Sequence, residues 1–173
     1  MVTLDSVDVR ILDCLQRDAS QSLAKISGQV HLSQNACWHR IHRLEDGGVI
    51  QRRVAILDPA KVGVGVTMFV LVRAAEHSQA WFERFAAAVQ GMPEVLEFHR
   101  TSGDVDYFLK LQLRDVASYD EFYRQLVGSV RCADVSAIFS MEQIKYTTAI
   151  PLTARLIGNA RCGTIPADTT FGK

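Results

Sequence analysis

The sequence has no stretch of about 18 apolar residues, the length a membrane-spanning helix requires. Its opening, M-V-T-L-D-S-V-D, has neither the basic nor the apolar region of a secretory signal. The expectation is a cytoplasmic protein without a membrane partner. Net charge is absent too, because 19 Lys and Arg balance 19 Asp and Glu; a polyanion partner has to be argued from local charge rather than from the total. The 4 cysteines, Cys14, Cys37, Cys132 and Cys162, include no C-x-x-C pair, so neither a disulfide framework nor a cysteine zinc site is indicated and reduced thiols are expected. There is no Gly-rich phosphate loop, no metal-ligand cluster and no nucleophile with a base at suggestive spacing. No catalytic residue, metal or cofactor is therefore expected.

What is present is organised around the stretch L-S-Q-N-A-C-W-H-R-I-H-R-L-E-D-G-G-V-I, from Leu32 to Ile50. Ser33 is suited to cap a helix, Gly47 and Gly48 to stop it, and Cys37, Ile41 and Leu44 recur at i, i+4, i+7 as a buried stripe. The opposite face carries Asn35, His39 and His42, with Trp38 at its edge and Arg40 and Arg43 on the flanks. Upstream, Asp5 caps a predicted helix running to about Arg17, with Leu4, Ile11, Leu12 and Leu15 on its apolar side. Ser22 starts a second helix in which Leu23, Ile26 and Val30 repeat, and His31 and Leu32 make a tight connection to the Ser33 helix. Three short helices with a brief turn between the last two predict a helix-turn-helix, which places the last helix in the major groove of double-stranded DNA.

The chemistry of that face divides by residue type. Asn pairs with adenine in two-point fashion, so Asn35, together with His39 and His42, is assigned to base edges. Ser33 and Gln34 at the helix start, with Arg40 and Arg43, are assigned to phosphate. Trp38 suits either a neighbouring helix or a thymine methyl or sugar. A metal set of Cys37, His39 and His42 is disfavoured because Cys37 points away from the histidines. From Gly48 to Pro59 the pattern turns β-rich, predicting a strand and hinge, the wing of a winged helix-turn-helix.

Residues 66–145 show a duplicated pattern. Val66 to Val72 reads as an apolar strand, and Ser78 opens a helix with Trp81, Phe82, Phe85 and Val89 on one face, stopped by Gly91 and Pro93. Val95 to Arg100 reads as a second strand with Leu96 and Phe98 on one side, and Tyr107 to Leu113 as an alternating third. A capping box from Ser118 to Glu121 starts a second helix, and Val135 to Ile144 closes a fourth strand. The order βαββαβ is that of a ferredoxin-like domain, and the fold class is α+β. Two helices cover one face of four strands, so a second copy of the chain is the economical cover for the other. In T-S-G-D-V-D-Y, Thr101 to Tyr107, Gly103 permits close backbone approach to a carboxylate, and Asp104 or Asp106 can neutralise an ammonium group. A free amino acid has both groups, but a polar hairpin turn accounts for the same residues.

L-D-S-V-D-V-R-I-L-D-C-L-Q-R-D-A-S, the Leu32–Ile50 stretch, A-I-L-D-P-A-K-V-G, S-G-D-V-D-Y-F-L-K and M-E-Q-I-K-Y-T-T together resemble the Lrp/AsnC (feast/famine) transcriptional regulators, in the right order, to about residue 150. The C-W pair and the M-E-Q-I-K-Y-T-T ending resemble the cysteine-responsive branch most. Lys25 departs from the Glu that the family often has there. The resemblance implies sheet-to-sheet homodimers that assemble further, commonly into octamers, with an effector pocket between dimers bordered by Gly103 and Asp106. It also implies that Ile138 and Ser140 affect the response.

The expected organisation is a helix-turn-helix domain at 1–48, a linker strand and hinge at 49–65, an effector and assembly domain at 66–150, and an extension at 151–173. In that extension residues 152–157 are expected to dock on a neighbouring subunit, the last dozen to be mobile, and Cys162 to be an incidental free thiol. The expected function is sequence-specific transcription control set by an amino-acid effector, with cysteine ranked first and leucine or another small apolar amino acid second. A ligand-independent architectural DNA protein and a small ferredoxin-like metabolic enzyme are the alternatives.

Overall fold

The computed structural model describes residues 3–152; Cys162 and residues 153–157 lie outside them. The chain divides into two compact units, one comprising residues up to Val54 together with the segment from Tyr146, the other Ala55–Lys145.

The first unit holds α1 (Ser6–Arg17), α2 (Leu23–Val30) and α3 (Gln34–Asp46). Their starts are set by side chains that meet otherwise orphaned amides. Asp5 Oδ1 accepts from the Val7 and Asp8 amides, both at 2.8 Å, while Asp8 Oδ2 accepts from the Asp5 amide at 3.0 Å, closing a reciprocal capping box. Ser22 and Ser33 cap α2 and α3 through the Lys25 and Ala36 amides, each such cap contributing about 1 kcal/mol. The turn between α2 and α3 passes through His31 in the left-handed region, at φ 58°, and the stop after α3 uses Gly48 at φ 70°, where a Cβ is disfavoured. Ile11, Leu12, Ile26, Val30, Cys37, Ile41 and Leu44 form the core.

The predicted strand between Gly48 and Pro59 does not form: residues 51–58 adopt no regular structure. Alternating apolar residues need a neighbouring strand to complete the ladder, and no strand of the described residues pairs with them. Val54, Ile56 and Leu57 are accordingly exposed. Instead of staying with the second unit, residues 146–152 return to the first. Gln16 and the Ile150 backbone exchange two hydrogen bonds, at 3.2 and 2.7 Å, and Leu152 packs on the helical core of its own chain.

The second unit is a four-stranded antiparallel sheet in the order β2-β3-β1-β4, built from β1 (Val66–Ala74), β2 (Val95–Arg100), β3 (Tyr107–Leu113) and β4 (Cys132–Phe139), with α4 (Gln79–Gln90) and α5 (Ser118–Ser129). Period-two alternation sends Met68, Val70 and Val72 of β1 and Tyr107, Leu109, Leu111 and Leu113 of β3 toward the helices. There they meet Trp81, Phe85 and Val89 of α4 and Phe122 and Leu126 of α5. The buried Trp81 ring keeps its N–H satisfied by the Arg131 carbonyl at 2.7 Å.

Three sequence expectations change in this unit. Leu96 does not share a side with Phe98, because the β2–β3 register shifts between Val95 and Glu97 and the inserted residue leaves Leu96 exposed. The Ser118–Glu121 capping box is replaced by Asp115, whose Oδ1 accepts from the Ser118 amide at 2.8 Å and hydroxyl at 2.7 Å. β4 begins at Cys132 and ends at Phe139, since its partner β1 reaches from Ala74 back to Met68 in their register. Past the Ser140 amide, which donates to Thr67 at 2.9 Å, no partner strand remains.

The carboxyl of Asp5 is lowered from 3.8 to about 2, first by the Asp8 amide and then by the Arg40 guanidinium. Its contribution to stability is complete above pH 3.8 and is lost as the pH falls through about 2. Asp5→Asn is expected to flatten the acid dependence of helical signal in that window. Acid titrations of both chains by circular dichroism check this, and identical slopes would contradict it.

Candidate nucleic-acid interface and effector loop

At 3.6 residues per turn, the buried Cys37, Ile41 and Leu44 turn Asn35, Trp38, His39 and His42 together into solvent. Trp38 is 45% exposed and stands beside the polar face rather than in the buried stripe of α3. Its indole meets the rings of His39 and His42 edge-on, at 4.9 and 4.1 Å between centroids, giving one contiguous aromatic surface. Gln34 is exposed at the start of α3, and the Ser33 hydroxyl is occupied by its own cap. His42 Nδ1 faces Glu45 Oε2 at 3.4 Å, and Arg53 Nη2 meets the other oxygen of Glu45 at 2.8 Å.

Arg40 and Arg43 are held differently from what their flank positions suggest. Arg40 Nη1 lies 2.6 Å from Asp5 Oδ2 and 2.8 Å from Asp8 Oδ1, and Arg43 Nη2 lies 2.5 Å from Asp8 Oδ2. The Asp8 carboxylate is wholly buried. Stripping one partner from such a group costs about 3–5 kcal/mol, far more than an exposed ion pair contributes, so these bonds constrain how α3 seats on α1. Asp5 and Asp8 were not among the sequence candidates. Their D-x-x-D spacing signals a cap, whereas their arginine partners lie more than thirty residues away.

Burial pushes the Cys37 thiol up, with Cys14 adding to it, and Cys37 packs in the helical core. Among the described residues, no group of three or more His, Cys, Asp and Glu side chains is placed to hold a metal ion.

In the second unit, the Thr101–Asp106 segment is tied closed by the Thr101 amide to the Asp106 carbonyl at 2.8 Å and by the Thr101 hydroxyl to the Val105 carbonyl at 2.6 Å. Gly103 at its tip has φ 126°, outside the reach of L residues without strain. Asp106 Oδ2 accepts from the Ala74 amide at 2.8 Å, and Oδ1 lies 3.7 Å from His77 Nδ1, a neighbour that the sequence reading missed. Asp104 offers its carbonyl to Arg73 Nε at 2.6 Å. The loop therefore adjoins the Val72–Ala74 end of β1.

Ile138 and Ser140 are not there. Ile138 pairs with Phe69 and Ser140 bonds Thr67, placing Ser140 seven residues, about 24 Å, along β1 from Ala74. One chain does not bring these two sets together around a small molecule. The sheet face between them, turned away from the helices, shows Phe69 stacked on Phe108 at 5.6 Å with Ile138 exposed beside them. Lys110 and Glu97 form a 2.7 Å ion pair on the same sheet.

A capped three-helix unit with an exposed amide, imidazole and indole face, joined to a ferredoxin-like unit with a separate polar loop, defines a two-domain helix-turn-helix regulator. Comparison with known proteins specifies it. Residues 4–45 match the AsnC-type helix-turn-helix domain and residues 67–150 the Lrp/AsnC ligand binding domain. The chain belongs to the Lrp/AsnC family of DNA-binding transcriptional regulators. It is 52% identical over 149 residues to a glutamate uptake regulatory protein of Zymomonas mobilis, covering 86% of this chain and 91% of that one. To the DNA-binding transcriptional activator DecR of Escherichia coli K12 it is 47% identical, covering 86% and 99%. The crystal structure of an AsnC family regulator from Agrobacterium tumefaciens matches with TM-score 0.83 at 49% identity, covering 86% and 97%. A Neisseria meningitidis regulator in complex with L-Met matches with TM-score 0.82 at 32% identity, also covering 86% and 97%. These relatives are regulators, not enzymes.

The Asp106 carboxylate is the side-chain acceptor that receives the Ala74 amide of β1, a bond worth about 1 kcal/mol. Asp106→Ala is expected to speed hydrogen exchange of the Ala74 amide about fivefold while leaving Leu109, in the core of β3, unchanged. Exchange measured by NMR checks this, and an unchanged Ala74 rate would show that the bond is not made in solution.

Proposed function

We propose that the chain is a sequence-specific regulator whose grip on double-stranded DNA is reset by an amino-acid effector held near Thr101, Gly103, Asp104 and Asp106 of one copy and near Ile138 and Ser140 of another. The observation that carries this reading is the separation of those two sets along β1, beyond the span of a single small ligand. A site built from both therefore requires two copies. Support for pairing through the open sheet face comes from the half-buried Phe69 and Phe108 stack with Ile138 exposed beside it; dimers assembling further, up to an octamer, complete the proposal.

The half-spent Asp106 carboxylate suits an ammonium group, and amides at the Gly103 turn suit a carboxylate. The Neisseria relative solved with L-Met supports an amino acid as the ligand class. Cysteine is ranked first and leucine or another small apolar amino acid second, with methionine added by that relative. Binding acts on DNA only so far as the effector's affinity differs between two arrangements of copies.

A thermal-shift and calorimetry panel of the twenty amino acids, read with size measurements by light scattering, tests this. One amino acid is expected to stabilise the wild type and change its assembly, and Asp106→Ala is expected to lose the response. A response that survives in Asp106→Ala, or none to any amino acid, would overturn the effector site.

On α3, Asn35, His39, His42 and Trp38 are proposed to read base edges and sugars, with Gln34, Ser33 and Arg43 at phosphates and Arg40 engaged mainly by Asp5 and Asp8. Selection of bound duplexes from random DNA is expected to show that His39→Ala changes preference at one position, by about 1–3 kcal/mol. A uniform loss across all sequences would instead place His39 on the backbone.

A further inference from the structure

Arg43 touches two environments at once. Its side chain borders the shallow surface hollow formed by Trp38, His39, His42, Asp46 and Gly47, yet its guanidinium ends on the buried carboxylate of Asp8. Arg40, by contrast, lies on the core side of α3, less exposed, and is held by both Asp5 and Asp8. A guanidinium has five N–H donors in a rigid planar fork. Arg43 commits one nitrogen, Nη2, to Asp8, and its guanidinium makes no other hydrogen bond among the described residues, while its side chain remains 48% exposed.

We propose that Asp8 is a positioning residue for DNA binding: it fixes the Arg43 fork at the edge of the recognition face, leaving the outer donors ready for a backbone phosphate. The inference rests on α3 as the DNA-reading helix. A free arginine at that position loses the freedom of several rotatable bonds when it meets a phosphate. The Asp8 bond imposes that ordering beforehand, during folding, so the contact costs less when DNA arrives. Arg40 supplies a second positive charge beside the buried Asp8 carboxylate, so that Asp8 does not depend on Arg43 alone. Asp8 thus acts through Arg43 without touching DNA.

The experiment is a double-mutant cycle on DNA binding by the full chain. Wild type, Asp8→Asn, Arg43→Gln and the double variant are measured on a duplex selected by the wild type and on a scrambled duplex, each across a salt series. Asn at position 8 keeps an acceptor for the Asp5 amide while removing the charge. Arg43→Gln is expected to weaken binding about tenfold and flatten the salt slope by about 0.9. Asp8→Asn is expected to reproduce most of that loss, and the double variant to be no weaker than Arg43→Gln.

If the two losses multiply, or if Asp8→Asn tightens binding to scrambled DNA with a steeper salt slope, Asp8 does not prepare Arg43 and the inference fails while the DNA reading of α3 stands. If Arg43→Gln changes nothing, the phosphate assignment of Arg43 fails with it. Should Asp8→Asn not fold, Arg43→Lys decides, because it keeps the charge but replaces the fork with a point charge. Losses close to those of Arg43→Gln support the inference, and wild-type binding overturns it.

Discussion

A carboxylate with no access to water has to be met by positive charge and hydrogen-bond donors, and in the first unit that requirement falls on Asp8. Its oxygens receive the Asp5 amide and the guanidinium groups of Arg40 and Arg43. The same side chain therefore closes the N-terminal cap of α1 and ties down two residues of α3. Apolar packing through Ile11, Cys37, Ile41 and Leu44 is nondirectional and tolerates small rotations of a helix. The ion pairs are directional, and they select the rotation that leaves Asn35, Trp38, His39 and His42 outside.

The second unit follows from the geometry of β1. As a central strand it is hydrogen-bonded on both sides, to β3 and β4. Its alternation gives one face to α4 and α5 and leaves Phe69 and Leu71 on the other. Its length also decides where the loop and the end of β4 fall, since Asp106 bonds Ala74 at one end and Ser140 bonds Thr67 at the other. The unpartnered apolar face and the split set of effector candidates are thus two consequences of one strand, and the proposed pairing of two copies answers both.

Much of this was legible from the residues. Periodicity and caps located α1, α2, α3 and α4, and the Tyr107–Leu113 alternation located β3 with the correct buried side. Errors occurred where a local pattern depends on a distant partner. The Val49–Leu57 region has strand-like composition without a strand beside it. Leu96 follows the local alternation, but a shift of register against β3 moves it to the surface. Ser118 and Glu121 match a capping box, yet Asp115 is nearer the amides that need an acceptor. Similarly, nothing local in S-V-D-V-R marks Asp8 as the acceptor for two arginines of a later helix.

The sequence by itself determined the two-unit architecture, the helix-turn-helix, the βαββαβ order and the residue types on the recognition face, because each depends on contacts within a turn or two of chain. Only the tertiary structure decided which arginine is held by two carboxylates and which by one, and that residues 146–152 join the helical unit through Gln16. It alone also separated Asp106 from Ser140. Those outcomes depend on where residues far apart in the chain come to lie, and hydrogen bonds and ion pairs act over a few ångströms of space regardless of the sequence distance between their partners.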